Sequence, residues 1–409
     1  MNNKAYIIIL LFFCTSGCKP IKYFSSVKPI KENKYLTVLF DGTSNNPDSK
    51  SNIYRLYRNT NKDSTQALYI EGVNGVIGNP FGFGIKKRLE IAYYYIVTNY
   101  HKDININLFG FSRGAYTARS FAGLINAAGI VDFSSVKDTV KIKKMVKKLV
   151  DVYKDDRTLS DKKSNLSICF NKFRENDSDF SQLTRDMNAT INILGLFDTV
   201  EASWGKEGFV LNEKMDPCGL KDVYVDQLCN IKNAFQALSL DDTRGQLFTP
   251  ILLNCDSTIE YCPDKKTNIK EVWFAGSHSQ VGGGNLLSSH AYNWMLEEVL
   301  NISGILDSTT YESSILDPIE NTEEATITGR LLFVRDIKRP LKKFISDSPG
   351  QKISIHKSVV DRIKCNQKSI LNRWFEEPFF SECYDNKEKK FKDCSKIEVH
   401  PKTKVDYNK

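Results

Sequence analysis

The sequence predicts an α/β fold, a mostly parallel sheet covered by helices on both faces, on three observations. Short apolar runs of strand length alternate with longer breaker-poor segments along most of the chain. One of these runs leads through a glycine-flanked turn directly into a helix-forming stretch, residues 104–128. Finally, 41% hydrophobic and 26% charged residues in a chain of 409 supply a buried core and exclude both wholesale disorder and a multi-span membrane protein. A chain of this length holds one large domain with additions.

The elements follow in order. Leu36 to Phe40 reads as a short buried strand running into the turn-rich loop Asp41-Gly42-Thr43-Ser44-Asn45-Asn46. A second strand, Ala67 to Ile70, leads into Glu71-Gly72-Val73 and a glycine-rich stretch to Gly84, after which a helix is expected from about Ile85 to Tyr100. Ile104 to Phe109 is the next strand and Ala115 to Ala128 the next helix. Ile191 to Phe197 is a strand ending at Asp198, Ala234 to Leu240 reads as helix, and Glu271 to Ala275 is a strand stopping just before His278. Beyond about Ser303 the apolar spacing weakens and lysines multiply, so residues 303–409 are expected to form an appendage to a catalytic domain spanning 35–302. No internal repeat is present.

The N-terminus differs in kind. Lys4 precedes the apolar run Ala5 to Phe13, too short to cross a bilayer but of signal-peptide length. Small residues then lead to Cys18, an arrangement like a bacterial lipobox, with Thr15 where such boxes usually carry Leu. The expectation is a signal peptide over residues 1–17, lipidation of Cys18, a polar tether over 19–34, and a lipoprotein of the bacterial cell envelope. Eight further cysteines, Cys169, Cys218, Cys229, Cys255, Cys262, Cys365, Cys383 and Cys394, suit disulfides in an oxidising compartment, and Cys255 and Cys262 bracket a short loop. No C-x-x-C pair and no nearby His supports a metal, so neither metal nor organic cofactor is expected.

A net charge of +8 without an arginine-rich or aromatic recognition motif argues against nucleic acid and is compatible with an anionic membrane surface. Val136 to Tyr153 interleaves apolar residues with Lys141, Lys143, Lys144, Lys147 and Lys148. That pattern fits either an insertion meeting lipid headgroups or a solvated cap helix.

Gly110-Phe111-Ser112-Arg113-Gly114 fits G-x-S-x-G between a strand and a helix, which makes Ser112 the candidate nucleophile and Gly110 and Gly114 the residues that permit the sharp turn. A serine hydroxyl needs a base. Of five histidines, His278 lies past a strand end and just before Gly282-Gly283-Gly284, whereas His101, His290, His356 and His400 fall in helical, appended or tail segments. Asp198, at the end of an apolar strand, is the candidate orienting carboxylate, with Asp241 and Asp242 as rivals. The order Ser112, Asp198, His278 is that of α/β-hydrolases. Oxyanion donors are expected from the amide of Arg113 and from Gly42 or Thr43.

The motifs Leu39 to Asn46, Glu71-Gly72-Val73, Leu108 to Arg119, Leu196 to Val200 and Val272 to Gly284 resemble the catalytic domain of type VI secretion phospholipase effector family 1. The likeness covers about residues 35 to 300. It implies acyl-ester hydrolysis on glycerophospholipids at a membrane surface, with Ser112 as nucleophile, Asp198 as orienting acid and His278 as base. Any secretion-system or immunity partner is unspecified by it. The family usually carries an aspartate two residues after the histidine, and this chain has Gln280. Effectors of that system also generally lack a signal peptide. Two other readings remain at this point: an esterase acting on small soluble esters, and a weakened hydrolase serving as an envelope binding module.

Overall fold

The computed structural model describes residues 21–26, 34–73, 83–154, 166–200, 204–205, 208–209, 228–242, 248–253, 267–307, 353–364, 384–385, 387, 390–391 and 397–400. Nine strands form one sheet: β1 (Tyr23–Ser25), β2 (Tyr35–Phe40), β3 (Thr65–Ile70), β4 (Asn105–Phe111), β5 (Ile191–Phe197), β6 (Ile231–Ser239), β7 (Asn268–Phe274), β8 (Ile353–His356) and β9 (Ile397–His400). Their spatial order is β1-β3-β2-β4-β5-β6-β7-β8-β9. Every neighbouring pair is parallel except β1 with β3. Among the described residues the α-helices of five residues or more are α1 (Asn52–Arg58), α2 (Phe83–Asn99), α3 (Arg113–Ala128), α4 (Thr139–Lys154), α5 (Leu166–Asn176), α6 (His278–Gly282), α7 (Ser289–Leu300) and α8 (Lys357–Lys364).

Two apolar clusters show why the sheet needs cover on both sides. Ile106 and Leu108 of β4 join Leu89, Tyr93, Phe121 and Met145 of α2, α3 and α4, while the alternate Phe109 and Phe111 join Ile53, Leu56, Trp294 and Met295 of α1 and α7. Side chains alternate across the sheet plane, so a strand buried on both faces must be apolar at every step. This is the α/β-hydrolase-like arrangement. All the parallel strands end on one side, and Ser112, Asp198 and His278 lie there.

Three expectations are corrected. Residues 231–239 are a strand, β6, paired in parallel with β5 and β7, not a helix. The tether expected over 19–34 contains β1, which pairs with β3. Within the span expected as an appendage, the described strands β8 and β9 do not stand apart but extend the same sheet past β7.

Helix α4 resolves the lysine-rich pattern. Ile142, Met145, Val146, Leu149, Val150 and Tyr153 are buried in the core, and the interleaved lysines are exposed. Lys141 and Lys148 meet Asp179, and Lys148 also meets Asp177. The apolar face is therefore spent on packing, as in a solvated cover helix. Among the described residues no helix is long and apolar enough to cross a membrane. Cys18 and the 255–262 loop lie outside the described residues. Cys229 is disulfide-bonded.

Candidate active site

The turn between β4 and α3 is as tight as its two glycines allow. A Cβ on Gly110 would come within 2.5 Å of the Ala115 Cα, and one on Gly114 within 2.2 Å of the Phe40 carbonyl oxygen. Ser112 between them has φ 58 and ψ −128, a conformation costly for any residue with a side chain. Its N–H donates to the Phe197 carbonyl of β5 at 3.0 Å, tying the turn to the neighbouring strand. Ser112 caps nothing with its hydroxyl. The side chain is free to face the base, which excludes the helix-capping role that a serine here would otherwise have.

His278 opens α6 rather than lying on a loop. Its Nε2 is 2.8 Å from Ser112 Oγ and its Nδ1 is 2.5 Å from Asp198 Oδ2. Asp198 has no solvent exposure and φ 43, and its second oxygen accepts the Ser239 N–H at 3.0 Å. A carboxylate so deeply placed is costly unless both oxygens are engaged, and here both are. The three candidate residues thus converge from the ends of β4, β5 and β7.

Asp242, a rival for the carboxylate role, instead accepts the backbone N–H of His278 at 3.1 Å. Asp241 accepts the Gly276 N–H at 2.6 Å. Both hold the turn that delivers the imidazole. Phe111 and Phe248 pack on the imidazole with ring centroids 4.9 and 4.5 Å away. The sequence offers the two acids only as rivals for the triad carboxylate and Phe111 only as a motif residue, and it gives no signal for Phe248. The signal for the two acids was their place after β6, hidden by its misreading as helix.

Gln280 is buried, and its Oε1 accepts the Ser277 N–H at 3.0 Å, completing a capping box at the start of α6. An acid at this third helical position can make the same bond. The departure from the family pattern is therefore accommodated without displacing His278.

The expected oxyanion loop is braced by Asp41. Its buried carboxylate accepts from Gly42 N–H at 2.7 Å, Asn45 Nδ2 at 3.2 Å, Ser51 Oγ at 2.5 Å and Tyr69 Oη at 2.6 Å. Burial pushes its carboxyl above the usual carboxylate range, and those four bonds oppose the shift. The fully buried Arg88 donates to the carbonyls of Asp41 and Glu71, and burial lowers its guanidinium to about 10. Gly42 N–H is consumed within the loop, which removes it from the expected oxyanion donors. Among the described residues the Thr43 amide takes part in no backbone pairing, and Arg113 N–H, first in α3, has no intrahelical acceptor. Arg113 Nε donates to Thr43 Oγ1 at 2.5 Å and so links the loop to the nucleophile turn.

A shallow cavity of about 550 Å³ lined by Tyr35, Asn61, Ile302 and Asp307 opens at the opposite ends of the strands and contains none of these residues. No cluster of three metal-ligating side chains occurs among the described residues.

Fold and site define a catalytic domain of the α/β-hydrolase-like serine ester hydrolase class. Residues 34–298 match the family model described as "T6SS, Phospholipase effector Tle1-like, catalytic domain". The chain belongs to that family. It is 24% identical over 336 residues to the uncharacterized protein YEL023C of Saccharomyces cerevisiae, covering 68% of this chain and 46% of the yeast protein. The chain therefore spans about half the length of that curated relative. Similar solved structures include an uncharacterized protein from Pseudomonas aeruginosa, at 16% identity and TM-score 0.37, covering 71% of this chain and 48% of that one. Another is a propionate-bound esterase from Thermogutta terrifontis, at 12% identity and TM-score 0.37, covering 71% and 92%.

Proposed function

We propose that the protein is a phospholipase of the bacterial cell envelope, anchored through a lipidated Cys18, that cleaves glycerophospholipid acyl esters through an acyl-enzyme. The observation that carries this reading is the chain of contacts Ser112 Oγ to His278 Nε2 to the buried Asp198, at 2.8 and 2.5 Å, within a phospholipase effector family domain.

With Nδ1–H directed at Asp198, the Nε2 lone pair faces the serine hydroxyl. His278 takes the Ser112 proton as Oγ bonds to the ester carbonyl carbon, and the oxyanion develops against the N–H groups of Arg113 and Thr43. Asp198 keeps the imidazole in this tautomer and stabilises the imidazolium. The imidazolium then protonates the departing lysophospholipid oxygen. Water, deprotonated by the same ring, attacks the acyl-enzyme, and the fatty acid leaves as Ser112 recovers its proton.

The test is fatty-acid release from mixed phospholipid micelles by the wild type and Ser112→Ala. Release by the wild type and its loss in the variant are expected, and equal release by both would refute the reading. Hydrolysis of short-chain nitrophenyl esters without any release from phospholipid would favour the soluble-ester alternative.

A further inference from the structure

The first described strand enters the sheet at its catalytic end. β1 runs antiparallel to β3 with Tyr23 opposite Ile70 and Ser25 opposite Leu68, so Tyr23 sits where the parallel strands stop. The Lys22 carbonyl accepts the Glu71 N–H at 3.1 Å, one step further toward the site. Between β1 and β4, which ends at Ser112, lie only β3 and β2. At about 4.8 Å per strand, Tyr23 is about 14 Å across the sheet from the nucleophile strand.

This edge is also apolar on its outside. Tyr23 is 54% and Phe24 42% exposed. The two point to opposite faces of the edge strand, with Phe24 leaning on Tyr69 at a ring-centroid distance of 6.2 Å. Each side of this rim thus carries one aromatic near Lys22, the residue types that settle at lipid headgroups. The length of chain ahead of them is short. Cys18 precedes Lys22 by four residues, a span of at most about 14 Å when fully extended.

We propose that β1, with Tyr23 and Phe24, is the face of the domain that meets the bilayer, and that the lipidated N-terminus holds it there so that Ser112 opens onto the membrane carrying the anchor. The proposal rests on the phospholipase reading above and adds which membrane is attacked. In the modification step the Cys18 sulfur bonds to the terminal glyceryl carbon of a donor phospholipid as the carbon–oxygen bond to its phosphate breaks. The thiol proton leaves with the phosphate-bearing headgroup, and water cleaves the peptide bond before Cys18. The two acyl chains of the diacylglyceryl group hold the protein at the surface, and the aromatic rim sets how the domain faces it.

The test uses the full-length protein purified from membranes, with mass spectrometry of its N-terminal peptide for the diacylglyceryl adduct on Cys18. It is reconstituted into phosphatidylethanolamine/phosphatidylglycerol vesicles and mixed with differently labelled bystander vesicles of the same composition. All rates are normalised to the same preparation's rate on a soluble short-chain ester. Fatty acid is expected from host lipid at least about tenfold faster than from bystander lipid. A flexible insertion of about 20 Gly/Ser residues between Pro20 and Ile21, with a root-mean-square span of about 25 Å, is expected to lower that ratio at least threefold. Equal release from both vesicle sets or a ratio unmoved by the insertion would overturn the orientation while leaving phospholipid hydrolysis standing, and an unmodified Cys18 would overturn the orientation together with the lipid anchor but not the hydrolysis. Soluble-ester turnover with no release from either set would overturn both.

Discussion

Gly114 passes so close to Phe40 that a methyl group on it would lie 2.2 Å from the Phe40 carbonyl oxygen. The second glycine of the motif therefore serves the contact between α3 and β2, and Ser112 is held in its strained conformation because the chain on both sides has nowhere else to go. Backbone cannot yield as the end of a long side chain can. Gly114→Ala is expected to cost about 1–3 kcal/mol or more and to lower the thermal midpoint. Gly304→Ala, with nothing within 4 Å of its added carbon, is expected to change stability by less than about 0.5 kcal/mol.

Asp198 and Asp242 both bind His278, one at the ring and one at the backbone, and the two bonds separate in kinetics. Asp198→Asn is expected to lower kcat on a soluble ester by about four orders of magnitude, since the wrong tautomer is favoured. Asp242→Ala leaves the ring's partners in place and loosens only the turn. It is expected to lower kcat by about ten- to a hundredfold, checked by steady-state kinetics with both variants confirmed as folded.

Asp41 gathers three protein donors besides its neighbour's N–H in a place that water does not reach. Asp41→Ala strands the hydroxyls of Ser51 and Tyr69, at about 1–3 kcal/mol for each group left without an acceptor. A lower midpoint in chemical denaturation is expected, together with slower acylation as the Thr43 loop loses its brace.

Gln280 is expected to be structural. Gln280→Ala removes one half of a capping box, worth about 1 kcal/mol. Because Asp242 still holds the His278 N–H, kcat is expected to stay within about threefold of the wild type. A hundredfold loss would show that Gln280 acts on the chemistry.

Much of this was legible in the sequence because one strand-end rule selected all three residues of the chain Ser112, His278 and Asp198, and the glycines at 110 and 114 marked the turn. The strand β6 was not legible. Ile231, Ala234, Phe235 and Leu238 fall at helical intervals because buried polar residues, Gln236 and Ser239, break the apolar run expected of a strand covered on both faces. The same confusion hid Asp241 and Asp242, which look solvated after a helix and are ladder-end ligands after a strand. β1, β8 and β9 were invisible for another reason. Strands of three or four residues carry too little pattern, and their partners lie far away in sequence.

The activation of Ser112 by His278 is tested most directly by fluorophosphonate labelling followed by peptide mass spectrometry. The native protein is expected to carry the adduct on Ser112, with labelling falling at least about a hundredfold in His278→Ala. No adduct on Ser112, or equal labelling with and without the imidazole, would contradict the assignment.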